Sequence, residues 1–293
     1  MSDSVHVLAP AKVNLFLGVG GVRPDGYHTV DAVFHELDLA DELSLAAADG
    51  LSVTCVPDVG VGVEDNLAAK AAREFGRLVG REPSVHIAIR KHVPHGAGLG
   101  GGSSDAAAVI RGLARMWGID IFDERCWTAA RSVGADVAFF LVGGAALMTE
   151  RGDHLVRILP ASNAHAVLVR PPEPVSTAAA YRAFDAAPEP AGDASGVVHA
   201  LETGDSAALG TALANNFEPI STALVPSVGD ALEWVATQDE VLGSVMAGSG
   251  SAVFAITGSE QISERVAAAA RARGWWGMPT RLVSAPNVEE GLA

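Results

Sequence analysis

Cysteine, lysine and tyrosine are all scarce in this chain of 293 residues. The two cysteines, Cys55 and Cys126, stand far apart with no CxxC spacing, which argues against a disulfide framework or a cysteine-based zinc site and predicts two reduced structural thiols. Lysine and arginine together number 20 against 35 acidic residues, a formal net charge of −15, and no basic tract occurs. A phosphate polymer repels such a chain, so no nucleic-acid partner is expected. No apolar run reaches the roughly 18 residues that a membrane span needs. Residues 1–11 also lack the basic-then-apolar layout of a signal peptide. The expectation is a soluble, cytoplasmic protein with no membrane partner. Nine histidines are present, but the suggestive pair His92 and His95 has no cysteine or HExxH context, so no zinc is expected there.

What is abundant is apolar residue, 49% of the chain, enough for two compact lobes at this length. The boundary is expected near residue 155, giving domains 1–155 and 156–293. Short β-type segments are predicted at Val5 to Ala9, Val13 to Val19, Val30 to Leu37, Leu43 to Ala46 and Leu51 to Val56. Asp65 or Asn66 then caps a helical pattern with Leu67, Ala71, Phe75 and Leu78 on one face. Val85, Ile87 and Ile89 alternate with more polar neighbours as a half-buried strand. Helices are predicted from Ala106 to Trp117 and from about Asp123 to Val133, then a strand near Ala145 to Thr149. The second half reads as a strand at Ala166 to Val169, several helices and a biased loop at Ala186 to Gly196. Strands at Val241 to Met246 and Ala252 to Ile256, a helix from Ser259 to Arg273 and a strand near Thr280 to Val283 complete it.

Between the half-buried strand and the helix at Ala106 lies Pro94-His95-Gly96-Ala97-Gly98-Leu99-Gly100-Gly101-Gly102-Ser103-Ser104-Asp105, with five glycines in seven positions. Glycine permits the positive-φ geometries that turn successive N–H groups inward, and the helix that follows adds its partial positive charge. A triphosphate suits this loop; a flexible capped turn is the bland alternative. It is not a Walker A loop, because Lys12, Lys70 and Lys91 are the only lysines and none follows a glycine. The dinucleotide fingerprint also fails, since no acidic residue ends a second parallel strand about twenty positions on.

Phosphoryl transfer needs a group to orient or deprotonate the attacking hydroxyl and a cation to balance charge. Lys12, in Pro10-Ala11-Lys12-Val13-Asn14-Leu15, and Asp136, in Gly134-Ala135-Asp136-Val137, are candidates. Taken alone, each is more often a surface charge or a buried structural pair. Together with Asp25-Gly26-Tyr27-His28, Glu64-Asp65-Asn66-Leu67, the glycine loop and Gly248-Ser249-Gly250-Ser251-Ala252-Val253-Phe254-Ala255, they run in one order along most of the chain. In this the chain resembles the GHMP kinase superfamily, and within it the kinases of 4-diphosphocytidyl-2-C-methylerythritol in non-mevalonate isoprenoid synthesis.

The resemblance implies an α+β fold of two lobes. The N-terminal lobe is of the kind seen in some RNA-binding ribosomal proteins, the C-terminal lobe is an α/β sandwich, and the active site lies in the cleft between them. It implies transfer of the ATP γ-phosphoryl group to the 2-hydroxyl of the methylerythritol unit, with Asp136 as general base and also touching substrate, Lys12 as its ionic partner, and Asn14 and Phe34 on the substrate. Pro94, His95, Gly96, Ala97, Gly98, Leu99, Gly100, Gly101, Gly102, Ser103 and Ser104 would line ATP, and Asn66 and Lys91 the adenine pocket. Mg²⁺ would travel with ATP, near Ser103 or Ser104. Tyr27 and His28 match the cytosine-binding positions, and Tyr181, four residues after Thr177, falls near where the family supplies an opposing aromatic, so that Tyr27 and Tyr181 would sandwich the base. Ala138 and His95 depart from the residues common in relatives. The rivals are another kinase of the superfamily, acting on mevalonate, homoserine or a sugar, and a non-catalytic nucleotide- or RNA-binding module.

Overall fold

A computed structural model describes residues 4–284. In chain order, β1 (Ser4–Val22), β2 (His28–Ala47) and β3 (Ser52–Val56) precede α1 (Leu67–Val79), β4 (Val85–Arg90), α2 (Gly101–Trp117), α3 (Glu124–Val133) and α4 (Phe139–Val142). Next come β5 (Ala145–Thr149), β6 (His154–Leu159), β7 (His165–Arg170), α5 (Thr177–Ala186), α6 (Ser195–Thr203), α7 (Ser206–Ala212) and β8 (Ala214–Asn215). The chain closes with α8 (Glu218–Leu224), α9 (Pro226–Ala236), β9 (Val241–Met246), β10 (Val253–Thr257), α10 (Glu260–Ala272) and β11 (Trp276–Arg281). This is the expected α+β class.

The described residues form two compact units. The first holds residues 4–11, Leu39–His95 and Gly100–Val142. Within it β4 pairs antiparallel with the second half of β2 and parallel with β3. The predicted alternation in β4 is real, with Val85, Ile87 and Ile89 buried. Asn66 caps α1 through its side-chain oxygen, which accepts from the Ala68 N–H at 2.9 Å, and Gly80 ends the helix at φ 74°. Phe75 of α1 stacks on Trp117 of α2, ring centroids 5.4 Å apart. Helix α2 lies so close to β2 that a Cβ at Gly112 would meet Leu45 at 2.9 Å.

The second unit holds Lys12–Asp38, Gly96–Leu99 and residues 143–284. Its four-stranded sheet runs β11-β7-β10-β9, every neighbour antiparallel. Val167, Val169, Val253 and Ala255 of that sheet share a core with Ala231 and Val235 of α9 and Val266, Ala267 and Ala270 of α10. Elsewhere in the unit the first half of β2 pairs with β5, β5 pairs with β6, and β8 lies parallel to β1 at Phe16 and Leu17.

The sequence suggests breaks in β1 and β2 where the chain runs straight on. In β2 the turn-type residues Asp38 and Asp41 are satisfied from outside the strand. Asp41 is fully buried and accepts the backbone N–H groups of His92 and Val93, while Asp38 accepts from the Thr280 hydroxyl and the Arg281 N–H. Strand β6 escapes sequence reading because it pairs only with β5 and exposes Val156 and Ile158, so its apolar pattern is not that of a half-buried strand.

Fully buried His35, beside these elements in β2, is held neutral. Its Nδ1 lies 2.9 Å from the Glu36 carbonyl oxygen, and its Nε2 accepts from the Ser162 N–H at 2.9 Å. Burial pushes its pKa down to about 4. The unfolded ring takes a proton near pH 6.5 that the folded ring refuses, so stability is present above that pH and is lost as pH falls toward 4, by on the order of 3 kcal/mol. Calorimetric Tm should therefore drop between pH 6.5 and 4, and His35→Gln should show a shallower drop over the same interval.

Candidate active site

Lys12 sits in the apolar middle of β1 at 3% exposure. Burying an ammonium is costly unless polar or aromatic groups surround it. Here its Nζ donates to the Asn14 Oδ1 at 2.8 Å and lies 5.1 Å above the centre of the Phe34 ring. The second unit thus gathers three of the predicted residues, Lys12, Asn14 and Phe34, around one buried cation.

The glycine loop begins on the same unit. Gly96, Gly98 and Gly100 all take positive φ, at 66°, 79° and 71°. At Gly98 this is forced by crowding as well as by conformation, because a Cβ there would stand 2.1 Å from the Ala247 carbonyl oxygen. Ala97 accepts the Ala252 N–H at 3.2 Å, and Leu99 accepts the Lys12 N–H at 3.0 Å. The loop is thereby fastened to the Gly-Ser-Gly-Ser turn on one side and to β1 on the other. A Cβ on Gly248 of that turn would lie 3.6 Å from the Lys12 Nζ.

Helix α2 starts at Gly101, five residues before the sequence suggests, so Gly101, Gly102, Ser103 and Ser104 form its first turn. The first N–H groups of a helix lack acceptors within it, and its dipole places partial positive charge there. Ser104 is fully buried, and among the described residues its hydroxyl has no hydrogen-bond partner. An orphaned hydroxyl in the first turn of a glycine-led helix fits a phosphate oxygen or a cation carried by one. Among the described residues no group of three His, Cys, Asp or Glu is placed to hold a metal ion by itself.

Lys91 is tied into the protein. Its ammonium bonds the buried carboxylates of Asp41 and of Asp105, the latter at 2.7 Å. Burial, with the nearby Asp41 charge added, pushes the Asp105 carboxyl well above the usual carboxylate range, against the pull of Lys91. A Cβ on Gly101 would come 3.4 Å from the Lys91 Nζ, so this network underpins the start of α2. Asn66 is half-buried at its cap position, and Pro94, His95 and Gly102 lie on or near the surface. Asp136 is half-buried in the short 3₁₀ turn Ala135–Val137 that follows α3, with Val137 and Ala138 buried behind it.

The remaining predicted residues lie on the second unit. Asp25 accepts the Tyr27 N–H at 3.1 Å in a tight turn that leaves Tyr27 57% exposed, with the Arg151 guanidinium 5.0 Å from its ring centre. His28 and Tyr181 are brought together with ring centroids 4.9 Å apart. The Thr177 hydroxyl lies 2.8 Å from that of Ser249. Sequence reasoning missed Asp41, Asp105, Arg151 and Asp185, whose partners are distant or unremarkable in sequence. The turn Gly248-Ser249-Gly250-Ser251 has no assigned role in the sequence, although its glycine density is a usable signal.

Fold and site define a small-molecule kinase class, and the comparisons agree. Residues 66–144 match the GHMP kinases N terminal domain and residues 197–274 the GHMP kinases C terminal domain. The chain belongs to the GHMP kinase family. Its relatives include the 4-diphosphocytidyl-2-C-methyl-D-erythritol kinase of Desulfitobacterium hafniense (strain Y51), 37% identical over 287 residues that cover 98% of each chain. The enzyme of the same name from Pelotomaculum thermopropionicum is 39% identical over 268 residues, 90% of this chain and 93% of that one. A crystal structure of 4-(cytidine 5'-diphospho)-2C-methyl-D-erythritol kinase superposes with a TM-score of 0.80 at 32% identity, covering 95% of this chain and 99% of the other. Among the described residues no helix is long and apolar enough to cross a membrane.

Gly98→Ala tests the loop's attachment. With 2.1 Å to a backbone oxygen and φ 79°, the loop must shift, so the variant should lose at least tenfold in ATP affinity. Equilibrium nucleotide titration measures it, and wild-type affinity would show that the loop does not depend on this contact.

Proposed function

We propose that this kinase transfers the γ-phosphoryl group of ATP to the 2-hydroxyl of 4-diphosphocytidyl-2-C-methyl-D-erythritol, a step toward isoprenoid precursors. The observation that carries the reading is the meeting, at 4.9 Å, of His28, which matches a cytosine-binding position by resemblance, with Tyr181, which falls near where the family supplies an opposing aromatic. The nearly full-length similarity to kinases named for that substrate supports it.

In the proposed reaction the substrate oxygen forms a bond to the γ-phosphorus, the bond to the bridging oxygen breaks, and ADP leaves. Asp136 accepts the hydroxyl proton. Lys12 keeps positive charge by the reacting oxygens, and Asn14, bonded to that ammonium, positions the alcohol together with Phe34. Residues 94–104 line the phosphates, Ser103 and Ser104 offer hydroxyls to a Mg²⁺ that accompanies ATP, and Asn66 and Lys91 frame the adenine pocket. Such a cation neutralises charge on the transferred group. Exposed Tyr27 stacks on one face of the cytosine and Tyr181 closes the other, with Thr177 beside it. The division into domains 1–155 and 156–293 is supported by the two family matches falling on either side of residue 155. A net charge of −15 supports the absence of a nucleic-acid partner and fits a cytoplasmic metabolic enzyme.

A positioned base contributes about 10² to 10⁴ in rate. Asp136→Asn should lose that much kcat in a coupled ADP-release assay while ATP still binds; wild-type turnover would remove Asp136 as the base. Base stacking is worth about 1 to 3 kcal/mol, so Tyr27→Ala should raise KM for the cytidylyl substrate on the order of 5- to 150-fold with KM for ATP unchanged. An unmoved KM would take Tyr27 off the cytosine.

A further inference from the structure

The start of β2 and the end of α5 are joined by a polar contact across 157 residues of sequence. The His28 Nε2 lies 2.7 Å from the Asp185 Oδ1. His28 is only 9% exposed, and besides Tyr181 it meets Phe184 edge-on at 6.0 Å. Tyr181 is held in turn edge-on against Phe217 at 4.8 Å. Asp185 follows Tyr181 by four residues on α5, so both project from the same face toward His28.

A carboxylate only accepts hydrogen bonds, so the Nε2 facing Asp185 carries the proton. In the neutral ring this leaves Nδ1 with a lone pair. Among the described residues Nδ1 has no hydrogen-bond partner. The polar edge left for a ligand is an acceptor, set in a mostly buried aromatic cluster.

We propose that Asp185 is the positioning residue of base recognition. It holds His28 in one tautomer and one orientation, and so selects a base with an exocyclic amino group, cytosine, over one with a keto oxygen in that place, uracil. This rests on the reading that His28 meets the base of a cytidylyl substrate. An amino group donates to Nδ1, whereas a keto oxygen would set lone pair against lone pair. A site built for one hydrogen bond rejects the analogue that leaves it unmade.

The test uses the full-length protein with cytidine 5'-diphosphate and uridine 5'-diphosphate as probes in calorimetric titration. Long-range ¹H–¹⁵N correlation reports the His28 tautomer without nucleotide. The Asp185 side chain is 49% exposed, so Asp185→Ala leaves no buried void and should fold. The wild type should carry its His28 proton on Nε2 and prefer the cytidine diphosphate. Asp185→Ala should mix the tautomers, reduce that preference by about tenfold, the equivalent of one hydrogen bond, and raise KM for the cytidylyl substrate more than it lowers kcat. Asp185→Asn, whose Oδ1 also accepts, should recover most of the preference. Asp185→Ala with an undiminished preference, or a wild-type proton on Nδ1, overturns the inference alone. A wild type that binds the two diphosphates equally overturns the base reading itself and the inference with it.

Discussion

The arrangement of the second unit turns on one contact that no side chain could survive. Gly98 lies with its Cα against the Ala247 carbonyl, so two stretches of backbone, the start of the glycine loop and the Gly-Ser-Gly-Ser turn, meet directly. Backbone-to-backbone contact of this kind needs glycine for both space and φ. Its consequence is positional. The loop is fastened at Ala97 and Leu99, and the Leu99 link ends on the backbone of Lys12. The glycine loop and the buried ammonium are thus held to one backbone seam.

Charge is used sparingly in the same way. Of the three lysines, Lys70 is exposed while Lys12 and Lys91 are almost wholly buried. Each buried ammonium is matched differently. Lys91 faces two buried carboxylates in a structural brace, and burial, with the Asp41 charge added, makes Asp105 hold its proton more tightly. Lys12 donates to the Asn14 amide oxygen and lies over the Phe34 ring. A lysine so placed suits a reaction that builds negative charge, and arginine could not present the same compact point charge.

Much of this was legible in the sequence where local physics decides. The alternation at β4, a helix cap at Asp65 or Asn66, helix starts near Asp123 and Ser259, and the glycine loop leading into a helix each followed from residue type and spacing; the caps are Asn66, Asp123 and Ser259. Lys12 stood out because it interrupts an apolar strand. What was hidden depended on partners distant in the chain. Asp41 reads as a turn residue until His92 and Val93 supply its hydrogen bonds, and Asp185 reads as a surface acid until α5 brings it to His28. The early start of α2 was hidden because Gly101, Gly102, Ser103 and Ser104 are poor helix formers, and packing overrides their propensity.

The chain belongs to the GHMP kinase family, and its nearly full-length relatives include kinases named for 4-diphosphocytidyl-2-C-methyl-D-erythritol. The most direct measurement is ADP release by the purified protein with ATP and a panel of acceptors: 4-diphosphocytidyl-2-C-methyl-D-erythritol, mevalonate and homoserine. Turnover with the cytidylyl alcohol alone is the predicted result. Turnover with mevalonate or homoserine and none with the cytidylyl alcohol would contradict the account.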